Sequence, residues 1–489
     1  MDNRKKPNKS IVGNLFWKFG ERISAQLVTF IISIVLARLL TPSDYGVIAI
    51  VNIFIAIANV FVVSGFGNSL IQKKDADETD FSTVFYFNMF FGFLLYGILF
   101  LIAPIVADFY NLPILSPILR VLGLRIIVAS VNNIQHAYVA KKMLFKRFFW
   151  STLGGTLASA VVGIVMAYNG FGVWSLVGQY LTNTVTDTIV LWFTVKWRPK
   201  LLFSFKRLGE LFSFGWKLLC SALLDTGYNE LRSLVIGKMY TSADLAFYNK
   251  GKSFPNLIVN NINTSIQSVL FPAMANVQDK KEQVKSMVRR SIRISSYIML
   301  PLMVGLTLVA EPFIKLLLTD KWLPCVPYVR IVCLTYALRP IQTSNLQAIK
   351  ALGRSDVFLK LEVIKKIMSI TVLACVARLG VLAIAISGLF TAIVSSVINS
   401  YPNKELIGYR YFEQMKDLLK PIIPLVAMSL VVLMTGLIEI NVLSLLILQI
   451  VLGMSTYIVF SAITKNEEFM YVLGIIKSFI SRFQNKEKK

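Results

Sequence analysis

Basic side chains that interrupt the apolar stretches are the clearest chemical signal in this sequence. Twelve of them fall within or at the ends of such stretches: Arg38, Arg120, Arg125, Lys217, Arg232, Lys238, Lys250, Lys252, Arg330, Arg339, Lys365 and Lys366. Only four acids lie at comparable positions: Asp187, Asp225, Glu230 and Glu362. A charge at the centre of a bilayer costs at least about 2.5–3.5 kcal/mol, so it usually faces a cavity or a partner. Because the acids cannot neutralise the bases, we predict a water-filled space that attracts an anion.

Six of these bases are candidates to line that space: Arg339, Arg125, Arg232, Lys250, Lys252 and Arg38. Arg339 lies midway along a predicted span, where a side chain cannot easily reach either interface, so it faces the cavity or forms a buried pair with an acid. Lys250 and Lys252 lie about two helical turns into another span. They either face the cavity or extend back to the interface. Arg38 ends the first apolar stretch and is more typical of an interfacial anchor.

The acids within the spans are candidates for an ion-coupling site. A carboxylate there can bind a proton or a sodium ion, or it can neutralise an arginine. Asp225 lies near the middle of its predicted span and is the better candidate. Glu362 is followed by Lys365 and Lys366, three and four residues later, a spacing typical of an ordinary pair within one helix.

Residues that would indicate an enzyme are not found. The single histidine, His136, lies near Asn132 and Gln135 and is interpreted as a hydrogen-bonded packing residue, with a cation site as the alternative. No nucleophile elbow, phosphate loop, metal-ligand spacing or catalytic carboxylate pair occurs. The cysteines are too widely spread for a disulfide framework or a metal site: Cys220, Cys325, Cys333 and Cys375. We therefore expect no cofactor beyond a coupled H⁺ or Na⁺.

The elements that must position these residues are membrane-spanning helices. The chain has 489 residues, of which 55% are hydrophobic and 16% charged, and its mean hydropathy is +0.65. Soluble domains carry about 25% charged residues, and a bilayer requires about 20 apolar residues per helix. We predict an all-α polytopic membrane protein with about 14 spans: 14–40, 45–66, 82–106, 114–140, 149–168, 172–195, 213–238, 246–275, 288–310, 324–349, 356–377, 380–402, 421–438 and 441–463.

Two similar turns predict an internal repeat. Thr41 and Asp44, and again Thr241 and Asp244, have the spacing of a capping box, in which the threonine and an acid three residues later cap a helix reciprocally. A separation of about 200 residues is typical of transporters built from repeats. We predict two six-helix lobes, 1–196 and 213–402, an interfacial linker at 197–212, and two further helices with an amphipathic tail at 403–489.

The net charge of +25 is explained by membrane topology. Alternate connections between spans hold about 36 of the 51 lysines and arginines. The opposite connections hold about three: Lys315, Lys321 and Arg378. This asymmetry follows the positive-inside rule and places both termini in the cytoplasm. The charge therefore requires no nucleic-acid partner.

Six stretches of the chain resemble the Wzx-type polysaccharide flippases of the multidrug/oligosaccharidyl-lipid/polysaccharide exporter superfamily: 37–45, 70–74, 170–176, 234–255, 321–324 and 352–362. They are similar above all to the lipopolysaccharide and colanic-acid exporters. The resemblance implies a bacterial inner-membrane transporter with a cationic cavity between two six-helix lobes. It implies that a polyprenyl-diphosphate-linked oligosaccharide moves to the outer leaflet by alternating access. A polysaccharide polymerase and glycosyltransferases would be further partners in surface polysaccharide synthesis.

Two other functions stay open. A cation–drug antiporter of the same superfamily needs carboxylates in its lobes, and the first six predicted helices offer only Asp187. A membrane-embedded glycan polymerase or ligase usually carries a large outer loop, and the longest outer connection here, 311–323, is too short for one. The sequence therefore favours the flippase.

Overall fold

The computed structural model describes residues 9–63, 66–474 and 477, and within them it contains helices and no strand. This confirms the all-α prediction. The helices are α1 (Lys9–Leu39), α2 (Pro42–Val63), α3 (Phe66–Gln72), α4 (Glu78–Tyr110), α5 (Leu115–Lys141), α6 (Phe145–Tyr168), α7 (Val173–Thr194), α8 (Phe205–Met239), α9 (Ser242–Ala275), α10 (Lys281–Leu308), α11 (Ala310–Leu318), a 3-10 helix (Asp320–Cys325), α12 (Val326–Ala337), α13 (Arg339–Ala351), α14 (Ser355–Val376), α15 (Val381–Leu406), α16 (Tyr411–Leu418), α17 (Ile422–Thr435) and α18 (Val442–Ile463).

Thirteen of the fourteen predicted spans coincide with one helix each, and the exception is 324–349. Among the described residues, eight helices are long and apolar enough to cross a membrane. The pair α16 and α17, bent by 46°, would make a ninth. The polytopic character is therefore confirmed, whereas the number of crossings stays a prediction.

Both predicted capping boxes are present. Thr41 Oγ1 donates to Asp44 Oδ2 at 2.7 Å, and the Asp44 amide donates back to Thr41 Oγ1 at 3.2 Å. The same bonds join Thr241 and Asp244 at 2.6 and 3.1 Å. These side chains satisfy backbone groups that the first turns of α2 and α9 cannot pair internally. Each box fixes the start of its helix by local contacts alone.

The chain divides into two compact units, residues 1–246 and 247–489. In the first unit, the start of α2 packs directly on the start of α9. A Cβ atom at Gly46 would lie only 1.8 Å from the Ser242 carbonyl oxygen. Only glycine allows the two backbones to meet this closely. The residues that follow the two capping boxes are therefore in contact within this unit.

Each unit has its own buried cluster. In the first unit the cluster is rich in aromatic residues, among them Phe81, Phe85 and Trp197. Large apolar side chains also lie on outward faces: Leu101 is 74% exposed and Phe193 85% exposed. Uncovered apolar surface of this extent is typical of helices that face lipid.

The predicted linker, 197–212, is extended only in its first part. Residues 195–204 form no helix, and α8 begins at Phe205. Backbone amides of Lys200 and Ser204 donate to Ser82 Oγ at 3.0 Å and Thr83 Oγ1 at 3.1 Å near the start of α4. The segment is thus fixed to α4, and its interfacial position stays a prediction.

The predicted tail helix is described only in part. Residues 467–474 are helical, and Phe469 and Val472 pack against the buried cluster of the second unit. This part of the tail therefore docks on protein. Other tail residues of the predicted apolar stripe lie outside the described residues: Ile476, Phe479, Ile480 and Phe483.

Candidate functional site

Arg125 is held inside the first unit by neutral partners. It lies on α5, and its Nε donates to Thr184 Oγ1 on α7 at 3.0 Å. The Thr184 hydroxyl is oriented by its own bond to the Tyr180 carbonyl. The guanidinium also lies 5.1 Å from the centre of the Tyr180 ring, in cation–π geometry. None of the acids in the described residues pairs with Arg125, so most of its hydrogen-bonding capacity remains for an anion.

Two further bases of the first unit contact rings and carbonyls. Arg120 lies 4.3 Å from the Phe100 ring centre and donates to the Phe100 carbonyl at 3.3 Å. Lys238 lies 4.1 Å from the Phe109 ring centre and donates to the Phe109 carbonyl. These partners orient a cation without cancelling its charge.

In the second unit, two of the predicted site residues also lie over aromatic rings. The Lys250 ammonium is buried and lies 5.6 Å from the centre of Trp322, which is itself fully buried. The Arg339 guanidinium is exposed and lies 5.2 Å from the centre of Tyr336. Lys252 is half-buried in α9. Aromatic support of a base is therefore a feature of both units.

The prediction that one helix spans 324–349 is wrong. A 3-10 helix ends at Cys325, α12 ends at Ala337, and α13 begins at Arg339. The break follows from Pro340, which lacks an N–H group and is tolerated only in the first turn of a helix. Arg339 is thus not inside a continuous helix but at the start of a new one, where its side chain is exposed.

The remaining predicted site residues occupy varied positions. Arg38 is exposed in the last turn of α1, as an interfacial anchor would be. Arg232 is half-buried and Asp225 exposed, both on α8. The roles assigned to these three residues stay predictions.

Glu362 forms the pair that its sequence spacing predicts. Lys365 Nζ donates to its Oε1 at 2.6 Å, one turn along α14. A second acid pair joins Arg330 to Glu311 at 3.8 Å. Glu362 therefore has a permanent cation beside it, which makes it a poorer ion-coupling candidate.

The acid with the most enclosed polar surroundings in the spans of the first unit is Asp187, to which sequence reasoning gave no site role. Its Oδ2 accepts from Asn132 Nδ2 at 2.6 Å and lies 3.0 Å from His136 Nε2. Ser151 is also within hydrogen-bonding range. The imidazole stacks on Phe148, with ring centres 4.9 Å apart. His136 is thus the hydrogen-bonded packing residue that the sequence predicts.

Close helix packing brings these residues together. A Cβ atom at Gly155 of α6 would lie 2.9 Å from the Asn183 carbonyl oxygen and 3.4 Å from the Cβ atom of Asp187. Asn132 and His136 are one turn apart on α5 and face the same acid on α7. The i, i+4 spacing on α5 was the only sequence signal, since Asp187 is 51 residues beyond His136.

Comparison with known proteins gives a consistent result. A family described as "Polysaccharide biosynthesis protein" matches residues 35–327. The lipopolysaccharide biosynthesis protein WzxC of Escherichia coli (strain K12) is 23% identical over 79% of this chain and 80% of its own length. The teichuronic acid biosynthesis protein TuaB of Bacillus subtilis (strain 168) is 25% identical over 71% of this chain and 72% of its own.

Solved structures share the fold. The lipid II flippase MurJ, in an inward closed conformation, aligns with a TM-score of 0.74 and 14% identity, covering 93% of this chain and 99% of MurJ. A multidrug resistance transporter of the MATE family in an inward-facing conformation aligns with a TM-score of 0.64, covering 78% and 94%. At this identity the likeness establishes the fold alone.

Proposed function

The chain belongs to the polysaccharide biosynthesis protein family, and we propose that it is a flippase for a polyprenyl-diphosphate-linked oligosaccharide. The cargo would move from the cytoplasmic to the outer leaflet of a bacterial inner membrane, without covalent change, for the synthesis of O-antigen, capsule or exopolysaccharide. Both termini would be cytoplasmic. Glycosyltransferases would supply the cargo, and a polysaccharide polymerase would consume it.

The physical problem for such a protein is the head group. A diphosphate with sugars carries charges and hydroxyls that lipid tails cannot solvate. A cavity with arginine and lysine side chains can replace the lost water, because guanidinium forks bind two phosphate oxygens at once and ammonium groups act as point charges. Alternating access then requires only that such a site open to each side in turn.

The observation that carries the proposal is the environment of Arg125. A base inside a membrane helix is normally neutralised by an acid. Here a threonine hydroxyl and a tyrosine ring hold the guanidinium, and no acid of the described residues does so. A site of this kind favours an anionic ligand over the cationic drug of an antiporter. That Arg125 shares one cavity with Arg232, Lys250, Lys252 and Arg339 is part of the proposal.

The test is complementation of a bacterial strain that lacks its own flippase. We expect Arg125→Ala to reduce surface polysaccharide at least about tenfold, because a charge-assisted hydrogen bond contributes about 1.5–3 kcal/mol. Arg125→Lys keeps the charge but loses the fork, so it should retain more activity than Arg125→Ala. Membrane abundance of each variant is measured in parallel.

Arg354→Ala is the matched control, since this arginine lies before α14 and pairs with the exposed Asp356 at 2.8 Å. It should complement fully. If Arg125→Ala and Arg339→Ala both complement at normal abundance, the cationic-cavity mechanism is wrong for these residues. If Asp225→Asn alone abolishes activity, an ion-coupling site near Asp225 is the better account.

A further inference from the structure

The cluster of Asp187, His136 and Asn132 is not used by the proposed anion site. It lies in the first unit between α5 and α7, about 8 Å along α5 from Lys141 and about 10 Å along α7 from Thr194. The Asp187 side chain is 16% exposed and the His136 side chain 40% exposed. An acid and a histidine at this depth need a physical explanation.

The geometry selects one tautomer of the neutral imidazole. Nε2 lies 3.0 Å from Asp187 Oδ2, and two lone pairs at that distance would repel each other. Nε2 must therefore carry the proton and donate it to the carboxylate. This leaves Nδ1 as the basic nitrogen. No hydrogen bond to Nδ1 is made by the residues that the structure describes, and the ring is half open, so Nδ1 can accept a proton from water.

The cluster also has fewer donors than acceptors. Asp187 Oδ1 and Asn132 Oδ1 are both buried, and neither accepts a hydrogen bond from the described part of the chain. Buried acceptors are normally satisfied, and leaving one unpaired costs about 1–3 kcal/mol. Such a shortage favours a bound positive charge. Within the described residues no three His, Cys, Asp or Glu side chains form a metal-binding group, so a proton fits better than a multivalent metal.

Other charged groups around the cluster have partners of their own. Arg125 donates to Thr184, and Arg147 donates to the Thr194 carbonyl. Lys141 donates to carbonyl oxygens of the 70–73 segment. Further titratable groups on the helices that pack around the cluster are Arg22, Arg38, Asp44, Tyr45, Glu78, Asp80, Tyr86, Tyr96, Asp108, Tyr110, Tyr138, Lys146, Tyr168 and Tyr180. No hydrogen bond or ion pair of the described residues joins any of them to Asp187 or His136.

We propose that His136 and Asp187 form a proton-binding site. Water delivers one proton to Nδ1, while the Nε2 proton stays on the bond to Asp187. The pair then changes from a net charge of −1 to zero. A neutral pair is far less costly to bury in a low-dielectric interior than a single charge, so protonation favours the closed packing of α5 on α7. Coupling of this step to flipping rests on the proposed function, whereas proton binding itself does not.

The test uses the purified full chain in lipid nanodiscs, with ¹⁵N-labelled histidine and no substrate. His136 is the only histidine of the sequence, so its ring gives unambiguous signals. We expect the ring to gain a proton between about pH 5 and 8. Above that range the signals should show the Nε2–H tautomer alone. Asp187→Asn should lose this preference and populate both tautomers, because its amide can orient either atom towards the ring.

Asp108→Asn is the matched control, since it alters an exposed carboxylate at the end of α4, and it should behave as the wild type. Mixed tautomers in the wild type, or an unchanged tautomer in Asp187→Asn, would overturn the proposal. A ring signal that responds to sodium chloride but not to choline chloride would overturn it in favour of a sodium site. Should Asp187→Asn fail to fold, Asn132→Ala serves instead: the wild-type tautomer must persist, since the carboxylate remains.

Complementation at external pH 5.5 and 8 separates this proposal from the flippase itself. We expect activity of the wild type to depend on pH and activity of His136→Gln to lose most of that dependence. Arg125→Ala should be deficient at both pH values. If His136→Gln keeps the wild-type pH profile, coupling through this site is wrong, even if the chain is a flippase.

Discussion

Asp187 in the first unit and Asp417 in the second are both enclosed carboxylates, yet their partners differ in kind. The Asp417 side chain is 2% exposed and accepts from Arg289 Nε at 2.8 Å and from the Tyr409 hydroxyl at 2.7 Å. Asp187 has an asparagine and a histidine instead. Arginine stays charged at every physiological pH, whereas histidine does not. One site is therefore built to stay ionised, and the other can change its net charge.

The neighbours of Asp417 extend this permanent pairing. Arg293 on α10 bonds both Glu467 and the buried Glu468, and Lys420 lies 3.2 Å from Glu467. Hydrogen bonds from Arg293 and then Lys420 hold the pKa of Glu467 below its ordinary value. Burial, followed by the bond to Asp417, raises the pKa of the Tyr409 phenol, which therefore stays protonated and donates. The cluster ties α10 to α16 and to the residues after α18, which is a structural role.

The largest difference between the two sites should appear in stability. We expect Arg293→Ala to lower the free energy of unfolding by about 3 kcal/mol, because it leaves the buried Glu468 carboxylate without its closest cation. Thermal denaturation in detergent measures this as a fall in Tm. The control is Arg290→Ala, whose guanidinium lies 3.9 Å from the Tyr471 ring centre and should contribute less than about 1 kcal/mol. Equal effects of the two variants would show that the carboxylate cluster is not structural.

Asp187→Asn should have a smaller effect on stability. The amide is isosteric with the carboxylate, and its oxygen can still accept from Asn132 and His136, so we expect a loss below about 1 kcal/mol. The same thermal denaturation measures it, beside Arg293→Ala. A loss as large as that of Arg293→Ala would mean that the Asp187 charge is structural, which would remove the contrast between the two sites.

A surface pair supplies the lower limit of the comparison. Arg354 donates to Asp356 through Nε and a terminal nitrogen, at 3.0 and 2.8 Å, and these bonds lower the pKa of Asp356 to about 2. Stability from a carboxyl with a lowered pKa is present above its ordinary pKa and is lost as the pH falls through about 2. Because both side chains are exposed and screened by solvent, Arg354→Ala should leave Tm unchanged from pH 5 to 8. A measurable fall in Tm would show that this loop anchors α14.

Local features of the fold could be predicted because their contacts are close in sequence. The capping boxes at Thr41 and Thr241 and the pair of Glu362 with Lys365 all join residues three apart, and all are present. The predicted span 324–349 failed at a point that was equally local. Pro340 interrupts the helix after Ala337, but hydrophobicity over a window of about 20 residues does not register one missing N–H group.

The sequence by itself determined that this is an all-α membrane protein whose internal bases outnumber its acids, since composition and apolar run length are properties of the chain alone. Only the tertiary structure decided which group faces each charge. Arg125 meets Thr184 and Tyr180, and His136 meets Asp187, across separations of more than 50 residues. Such contacts depend on how α5, α6 and α7 pack, and glycines such as Gly155 set the helix spacing by allowing backbones to approach. Helical periodicity places a side chain on a face, but the neighbour that the face meets is decided by packing.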